Sequence, residues 1–147
     1  MELDGTDVKI LRVLLSDARL SSRKIAKKTG VSIGTVLSRM KKMEQAEIIK
    51  EYSAILDLEK LGYELTVMIE MTISKGRLSE IAKEIAEVPN VCCVYNVTGL
   101  TDAMVIAKFR KREELSGFTK HLLSLPHVER TNTHVVLTKI KEDFRVI

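Results

Sequence analysis

The chain has no tryptophan, three tyrosines and three phenylalanines. Tyr52, Tyr63 and Tyr95 are isolated from one another, which argues against an aromatic platform for stacking unpaired bases. Only two cysteines occur, Cys92 and Cys93, and they are adjacent. Neighbours on a strand point to opposite faces, so a mutual disulfide is disfavoured and no disulfide framework exists. No CxxC pair is present, and His121, His127 and His134 show no metal-ligand spacing. The seven glycines are scattered and form neither a GxGxxG fingerprint, a P-loop nor a G-x-S-x-G elbow. No cofactor is expected. No apolar run approaches the roughly 18 residues of a membrane helix, and the acidic start MELDGTDVK is unlike a signal peptide. The expectation is a soluble, cytoplasmic protein with no membrane partner.

What the chain does have is charge, 30% of its 147 residues, beside 45% hydrophobic ones. The charge is unevenly placed. Residues 1–50 hold eleven Lys/Arg and six Asp/Glu, a balance of +5, whereas residues 51–147 hold thirteen and fourteen, a balance of −1. Between Arg19 and Lys42 there are eight cations and no acidic residue. A basic surface of this kind is the footprint of a polyanion partner, or simply a solvated face.

The first fifty residues read as three helices. Asp4 is the N-cap of the first, with Asp7 at N3, and Leu3 and Val8 stand at the spacing of a hydrophobic staple. Val8, Leu11, Leu14 and Leu15 form its apolar stripe. Ser21 or Ser22 caps a short second helix that buries Ile25 and Ala26 and stops at Gly30. Ser32 caps a third, running to about Gln45 with Val36, Met40 and Met43 on its inner face. Two helices joined by a Thr-Gly-Val-Ser turn are a helix-turn-helix signature. A strand expected over 48–55 makes it a winged variant, with Lys50 on the wing.

After Gly62 the pattern alternates. Leu65, Val67, Ile69, Met71 and Ile73 mark a long strand. Leu78, Ile81, Ala82, Ile85 and Ala86 return to helical spacing before Pro89. Strands are expected at 91–98 and 103–109 around a turn at 99–102, then a helix through Leu115, Phe118, Leu122 and Leu123, then a strand over 128–140. The order β-α-β-β-α-β is ferredoxin-like. The fold class is therefore α+β: a helix-turn-helix domain over 1–50, a hinge over 51–62, and a ferredoxin-like domain over 63–147. Both helices of such a unit cover one sheet face. Met68, Val94, Met104 and Ile106 are expected on the open one, an association surface for a homo-oligomer built from two-fold dimers.

At this point the residues resemble a known family. The opening L-D-x-x-D (Leu3, Asp4, Asp7), the D-A-R at 17–19, the run I-A-K-K-T-G-V-S…T-V-x-x-R-M-K-K-M at 25–43, the hinge I-I-K-x-Y-x-A-x-L-D at 48–57, the L-G-Y at 61–63, the G-x-x-D turn at 99–102 and the T-x-T at 131–133 are similar, in order and spacing, to leucine-responsive/AsnC-type transcriptional regulators. The resemblance spans essentially the whole chain. It implies a regulator that binds double-stranded DNA as a dimer or an octamer, and a C-terminal domain that senses an amino acid or related metabolite at an interface between dimers. Two departures stand out. The family commonly has Gly after the recognition helix, where this chain has Glu47. Its turn commonly reads G-D-Y-D, where this chain reads Gly99-Leu100-Thr101-Asp102.

A recognition helix sets its N-terminal residues against base edges and its flanks against phosphates. The outward positions are Ser32, Gly34, Thr35, Ser38, Arg39 and Lys42. Hydroxyls read bases weakly; Arg39 could read guanine bidentately or clamp a phosphate, and the resemblance favours the phosphate. Arg23, Lys27, Lys28 and Lys50 are phosphate candidates. The alternative is that Ser32 only caps its helix and Arg39 only bridges to an acidic residue. For the effector, Gly99 suits close backbone approach, Leu100 and Thr101 complete the turn, Asp102 could pair with a ligand ammonium, and Thr131 and Thr133 could add hydroxyls from a neighbouring subunit. The alternative is that Gly99 makes a hairpin turn that Asp102 caps. Two further readings stay open: a global architectural DNA-binding protein, differing only in specificity ratio, and, remotely, an enzyme like the siroheme decarboxylases, which resemble the same two-domain layout.

Overall fold

The computed structural model describes residues 2–147. The chain divides into two compact units, one running to Ile55 and including Lys141–Ile147, the other spanning Leu56–Ile140. No helix among the described residues is long and apolar enough to cross a membrane.

The first unit holds α1 (Gly5–Ser16), α2 (Ser22–Thr29) and α3 (Ile33–Gln45). Each starts where its cap predicts. The Asp4 side chain accepts from the Thr6 and Asp7 amides at 2.7 and 3.0 Å, and Asp7 Oδ2 accepts from the Asp4 amide at 3.0 Å, a reciprocal capping box. Ser21 caps α2, and Gly30 ends it in the left-handed region at φ 75°. Ser32 caps α3, accepting from the Thr35 amide at 3.0 Å. Ile10, Leu11, Leu14, Ile25, Ala26, Val36 and Met43 form one buried cluster, with Met40 packed against it. On α1 the stripe is rotated from expectation: Ile10 is fully buried while Val8 and Leu15 are half-buried. Residues 141–147 join this unit, where Arg145 Nη1 donates to the Leu15 carbonyl at 3.4 Å.

The strand expected over 48–55 is not formed; residues 51–57 carry no regular structure. A strand exists only where its backbone is paired. Here the Ile48 and Ile49 amides both turn back onto the Met43 carbonyl, at 2.9 and 3.2 Å, finishing α3. Glu47 makes that reversal possible by adopting φ 54°, the left-handed conformation that glycine usually supplies.

The second unit holds β1 (Leu65–Ile73), α4 (Leu78–Ala86), β2 (Val91–Asn96), β3 (Ala103–Phe109), α5 (Arg112–Ser124) and β4 (Val128–Val135). The strands form one antiparallel sheet in the order β2-β3-β1-β4, the ferredoxin-like arrangement. Val67, Ile69, Met71 and Ile73 of β1 and Val105, Ala107 and Phe109 of β3 pack with Ile81, Ile85, Phe118 and Leu122 from the helices. The rings of Phe109 and Phe118 lie 5.4 Å apart. β4 stops at Val135 rather than near Ile140 because it pairs with β1, which begins at Leu65; the last bond is from the Val136 amide to the Thr66 carbonyl at 2.9 Å. β2 likewise stops at Asn96, opposite the start of β3 at Ala103.

One register shift changes which side chains face which way. Val91 pairs with Ala107, but Cys93 pairs with Ile106 and Val94 with Val105, so a bulge lies at Cys92. Without the bulge Val94 would share a face with Cys92, opposite Val91. With it, Val91 and Val94 both pack against the core, and Cys93 and Tyr95 take the open face instead. Val94 is thus removed from the open face assigned to it by simple alternation. Cys92 is exposed, not packed. The open face carries Met68, Ile106 and Cys93 in one row and Glu70, Met104 and Tyr95 in the next.

Candidate nucleic-acid interface and effector loop

Helix α3 has a fully buried side at Val36 and Met43 and an outward side at Ser32, Gly34, Ser38 and Lys42, with Thr35 and Arg39 half-buried at its edge. Arg23, Lys27 and Lys28 of α2 and Lys50 beyond α3 are all exposed. Cations therefore flank a helix whose outer positions Ser32, Gly34 and Ser38 are small. The Ser32 hydroxyl lies 2.8 Å from the Thr35 hydroxyl as well as capping the helix, so these two groups are already engaged with each other.

Arg39 bridges to acidic residues within the chain, as the alternative to its DNA role expects. Its Nη1 lies 2.7 Å from Asp4 Oδ2 and 3.1 Å from Asp7 Oδ2. Asp7 is 0% exposed, and a buried carboxylate needs a partner. The guanidinium thus ties α3 to the capping box of α1. The Asp4 carboxyl is held below its ordinary value first by the Asp7 amide and further by Arg39. Arg39 itself is pushed up by the hydrogen bond to Asp4. A second tie reaches α3 from the segment after it. The Tyr52 hydroxyl donates to Glu44 Oε1 at 2.8 Å, and burial with that bond pushes its pKa up to about 12.

Sequence reasoning missed two outward residues of α3, Ile33 and Leu37, which are 41% and 53% exposed. For Leu37 helical phase was the available signal, since it lies off the stripe of Val36, Met40 and Met43; Ile33, three residues before Val36 and seven before Met40, shares the phase of that stripe and is exposed in the first turn of the helix all the same.

In the second unit, Gly99 adopts φ 124° and the loop 97–102 closes the β2–β3 hairpin, with the Val97 amide donating to the Asp102 carbonyl at 3.1 Å. Asp102 Oδ2 accepts from the Ile73 amide at 2.8 Å, and the Asp102 amide donates to the Met71 carbonyl at 2.9 Å. This carboxylate is therefore fastened to the end of β1. Leu100 stands fully out at the loop tip, and Thr101 is half-buried. Thr131 and Thr133 pair with Met71 and Ile69 and share their helix-covered side, half-buried on the edge strand β4. The loop and Thr131 thus meet the same end of β1 from its two sides. Sequence reasoning missed a polar cluster on the opposite, open face. There Asn132 Nδ2 donates to Glu70 Oε2 at 3.1 Å and lies 3.1 Å from His134 Nε2. Only the β1–β4 register brings these three together.

The arrangement of a capped helix-turn-helix followed by this sheet is matched by known sequences. A model for winged helix-turn-helix DNA-binding domains matches residues 3–50, and one for the Lrp/AsnC ligand-binding domain matches residues 66–146. The chain belongs to the Lrp/AsnC family. It is 49% identical to an uncharacterized HTH-type transcriptional regulator of Pyrococcus furiosus, over 99% of both chains. It is 36% identical to the HTH-type transcriptional regulator FL11 of Pyrococcus horikoshii, over 95% of this chain and 93% of that one. Among solved structures, a transcriptional regulator of Neisseria meningitidis in complex with L-Met superposes with a TM-score of 0.92 at 30% identity, covering 99% of this chain and 97% of that chain. As an Lrp/AsnC protein, this chain is a transcriptional regulator with a DNA-binding helix-turn-helix and a ligand-binding domain.

Proposed function

We propose that the regulator sets α3 into the major groove of duplex DNA as a two-fold homo-oligomer, and that an amino acid or related small metabolite modulates binding from the Gly99–Asp102 loop at a subunit interface. The observation that carries the DNA half is the exposed cation set Arg23, Lys27, Lys28, Lys42 and Lys50 flanking an outward α3 face of Gly34, Ser38 and Lys42. These cations hold phosphates, while Ser32, Thr35 and Ser38 lie nearest the bases. Arg39 contributes by fixing α3 on α1. Two such helices reach half-sites about 34 Å apart, one turn of the duplex.

The effector half rests on the fastened Asp102 carboxylate beside Gly99, Leu100 and Thr101, with Thr131 paired near the same end of β1 and Thr133 paired at the middle of that strand. The L-Met complex of the Neisseria regulator supports an amino-acid ligand for this domain type. A non-enzymatic role follows from the retained basic helix-turn-helix, which a decarboxylase of this layout would have no need to keep. Acting on DNA, the protein works in the cytoplasm.

The test is binding to duplex DNA from the protein's own upstream region against scrambled DNA, at several salt concentrations, with and without a pool of amino acids. Selective, salt-steep binding that shifts with the pool, and an Asp102→Ala variant that binds DNA but ignores the pool, is the expected result. Salt-steep binding without selectivity would favour the architectural role. No binding to either DNA at low salt would sink both.

A further inference from the structure

Helix α3 carries a feature that neither its fold nor its cations explain. Ile33 and Leu37 are 41% and 53% exposed, and they stand one turn apart, so their side chains form a single apolar ridge. One exposed leucine needs no explanation. This pair lies in the N-terminal half of the helix that enters the groove, where side chains meet base edges. Beside it runs a parallel row, Gly34 and Ser38, and Gly34 is the second oddity. A Cβ built there meets only Ser32 Oγ, at 3.8 Å, and the residue is not in the left-handed region. Nothing inside the chain requires glycine at a helical position where glycine weakens the helix. The missing side chain makes a notch on the outer surface, which lets the helix backbone come closer to whatever faces it.

We infer that the Ile33–Leu37 ridge packs on thymine C5-methyl groups in the major groove, and that Gly34 permits the close approach. The thymine methyl is the one apolar group that a base edge presents there. The neighbouring hydroxyls serve hydrogen-bonding edges, whereas this ridge offers its apolar surface to a methyl. Leu37 is thus a specificity-determining residue, and each half-site holds a thymine at a fixed position. The inference rests on α3 being the helix that enters the groove.

The experiment uses the full chain. Duplexes are selected by the protein from a random pool, then resynthesised with deoxyuridine replacing thymine one position at a time, which removes only the methyl. The expected result is an affinity loss of about fourfold, near 0.8 kcal/mol, at one or two positions per half-site. Leu37→Ala should lose the uracil sensitivity at the position that Leu37 contacts while keeping the salt dependence of the wild type. The inference fails if the wild type is indifferent to uracil everywhere, if Leu37→Ala keeps the sensitivity, or if selection enriches no thymine. A Leu37→Ala variant that changes oligomeric state while methyl sensitivity persists would make the ridge a protein contact instead. Loss of salt-steep DNA binding by the wild type would overturn the DNA reading itself, a result distinct from all of these.

Discussion

Arg39 Nη1 sits 2.7 Å from Asp4 Oδ2 and 3.1 Å from Asp7 Oδ2, so the arginine of α3 closes on the capping box that starts α1. Removing the half-buried Arg39 takes away the cation beside the fully buried Asp7, which keeps only the bond from the Asp4 amide among those described. Arg39→Ala should therefore lower the melting temperature of the first unit by several degrees. It should leave the salt slope of DNA binding unchanged. A slope reduced by about one phosphate would return Arg39 to the DNA backbone.

The same cluster fixes an acid limit. The Asp4 carboxyl is lowered from 3.8, first by the Asp7 amide. A depressed carboxyl contributes stability that is complete above its ordinary pKa and is lost as pH falls through the lowered one. Melting temperature followed downward from pH 6 should hold until near that ordinary value and then drop. Asp4→Asn should begin less stable and drop less steeply over the same range.

Glu47 holds φ 54° to let the Ile48 and Ile49 amides close α3. A residue with a Cβ is strained there by about 1 kcal/mol, and glycine is not. Glu47→Gly should therefore stabilise the protein by about that amount, read as a rise in the chemical-denaturation midpoint. A fall would mean that the turn is held by something other than backbone conformation.

Gly34 separates stability from function. Gly34→Ala meets nothing closer than 3.8 Å and should stabilise α3 by about 0.5–1 kcal/mol. Its new methyl stands on the outer face, so DNA affinity should fall while the melting temperature rises. If affinity is unchanged, the notch is not used.

The bulge at Cys92 is tested by a pair of charges. Val94 packs against the core and Tyr95 lies on the open face, 47% exposed. Val94→Asp buries an unpaired polar group and should cost about 2–3 kcal/mol in denaturant unfolding of the protein. Tyr95→Asp should cost the fold much less and weaken self-association if that face is a dimer contact. Reversed costs would mean that the strand runs without the bulge.

The helices and most strands were legible because their signals are local. Asp4, Ser21 and Ser32 cap the helices they precede, and Gly30 stops the second, since a cap needs only an amide two or three residues away. Alternation along β1 named Val67, Ile69 and Met71 as its inner face. The segment 48–55 shows the limit. Its residues favour a strand, but a strand also needs a partner, and the α3 terminus takes its first amides. Val94 shows another, because alternation assumes an unbroken ladder. The site residues divide the same way. The exposed cations follow from helical phase. The commitments of Arg39 to Asp4 and Asp7, and of Asp102 to the Ile73 amide, join residues about thirty positions apart and leave no periodic trace.

By itself the sequence determined the order of the three helices and of the βαββαβ elements, the inner face of β1, the basic character of the first fifty residues and the family to which they lead. These are properties of neighbours along the chain, set by backbone sterics, side-chain period and charge. Only the tertiary structure decided that Arg39 locks a capping box, that a bulge turns Val94 inward, that Glu70, Asn132 and His134 meet, and that Asp102 is fastened to β1. Each of these depends on the register between distant segments, which packing of the whole core selects and no local preference encodes.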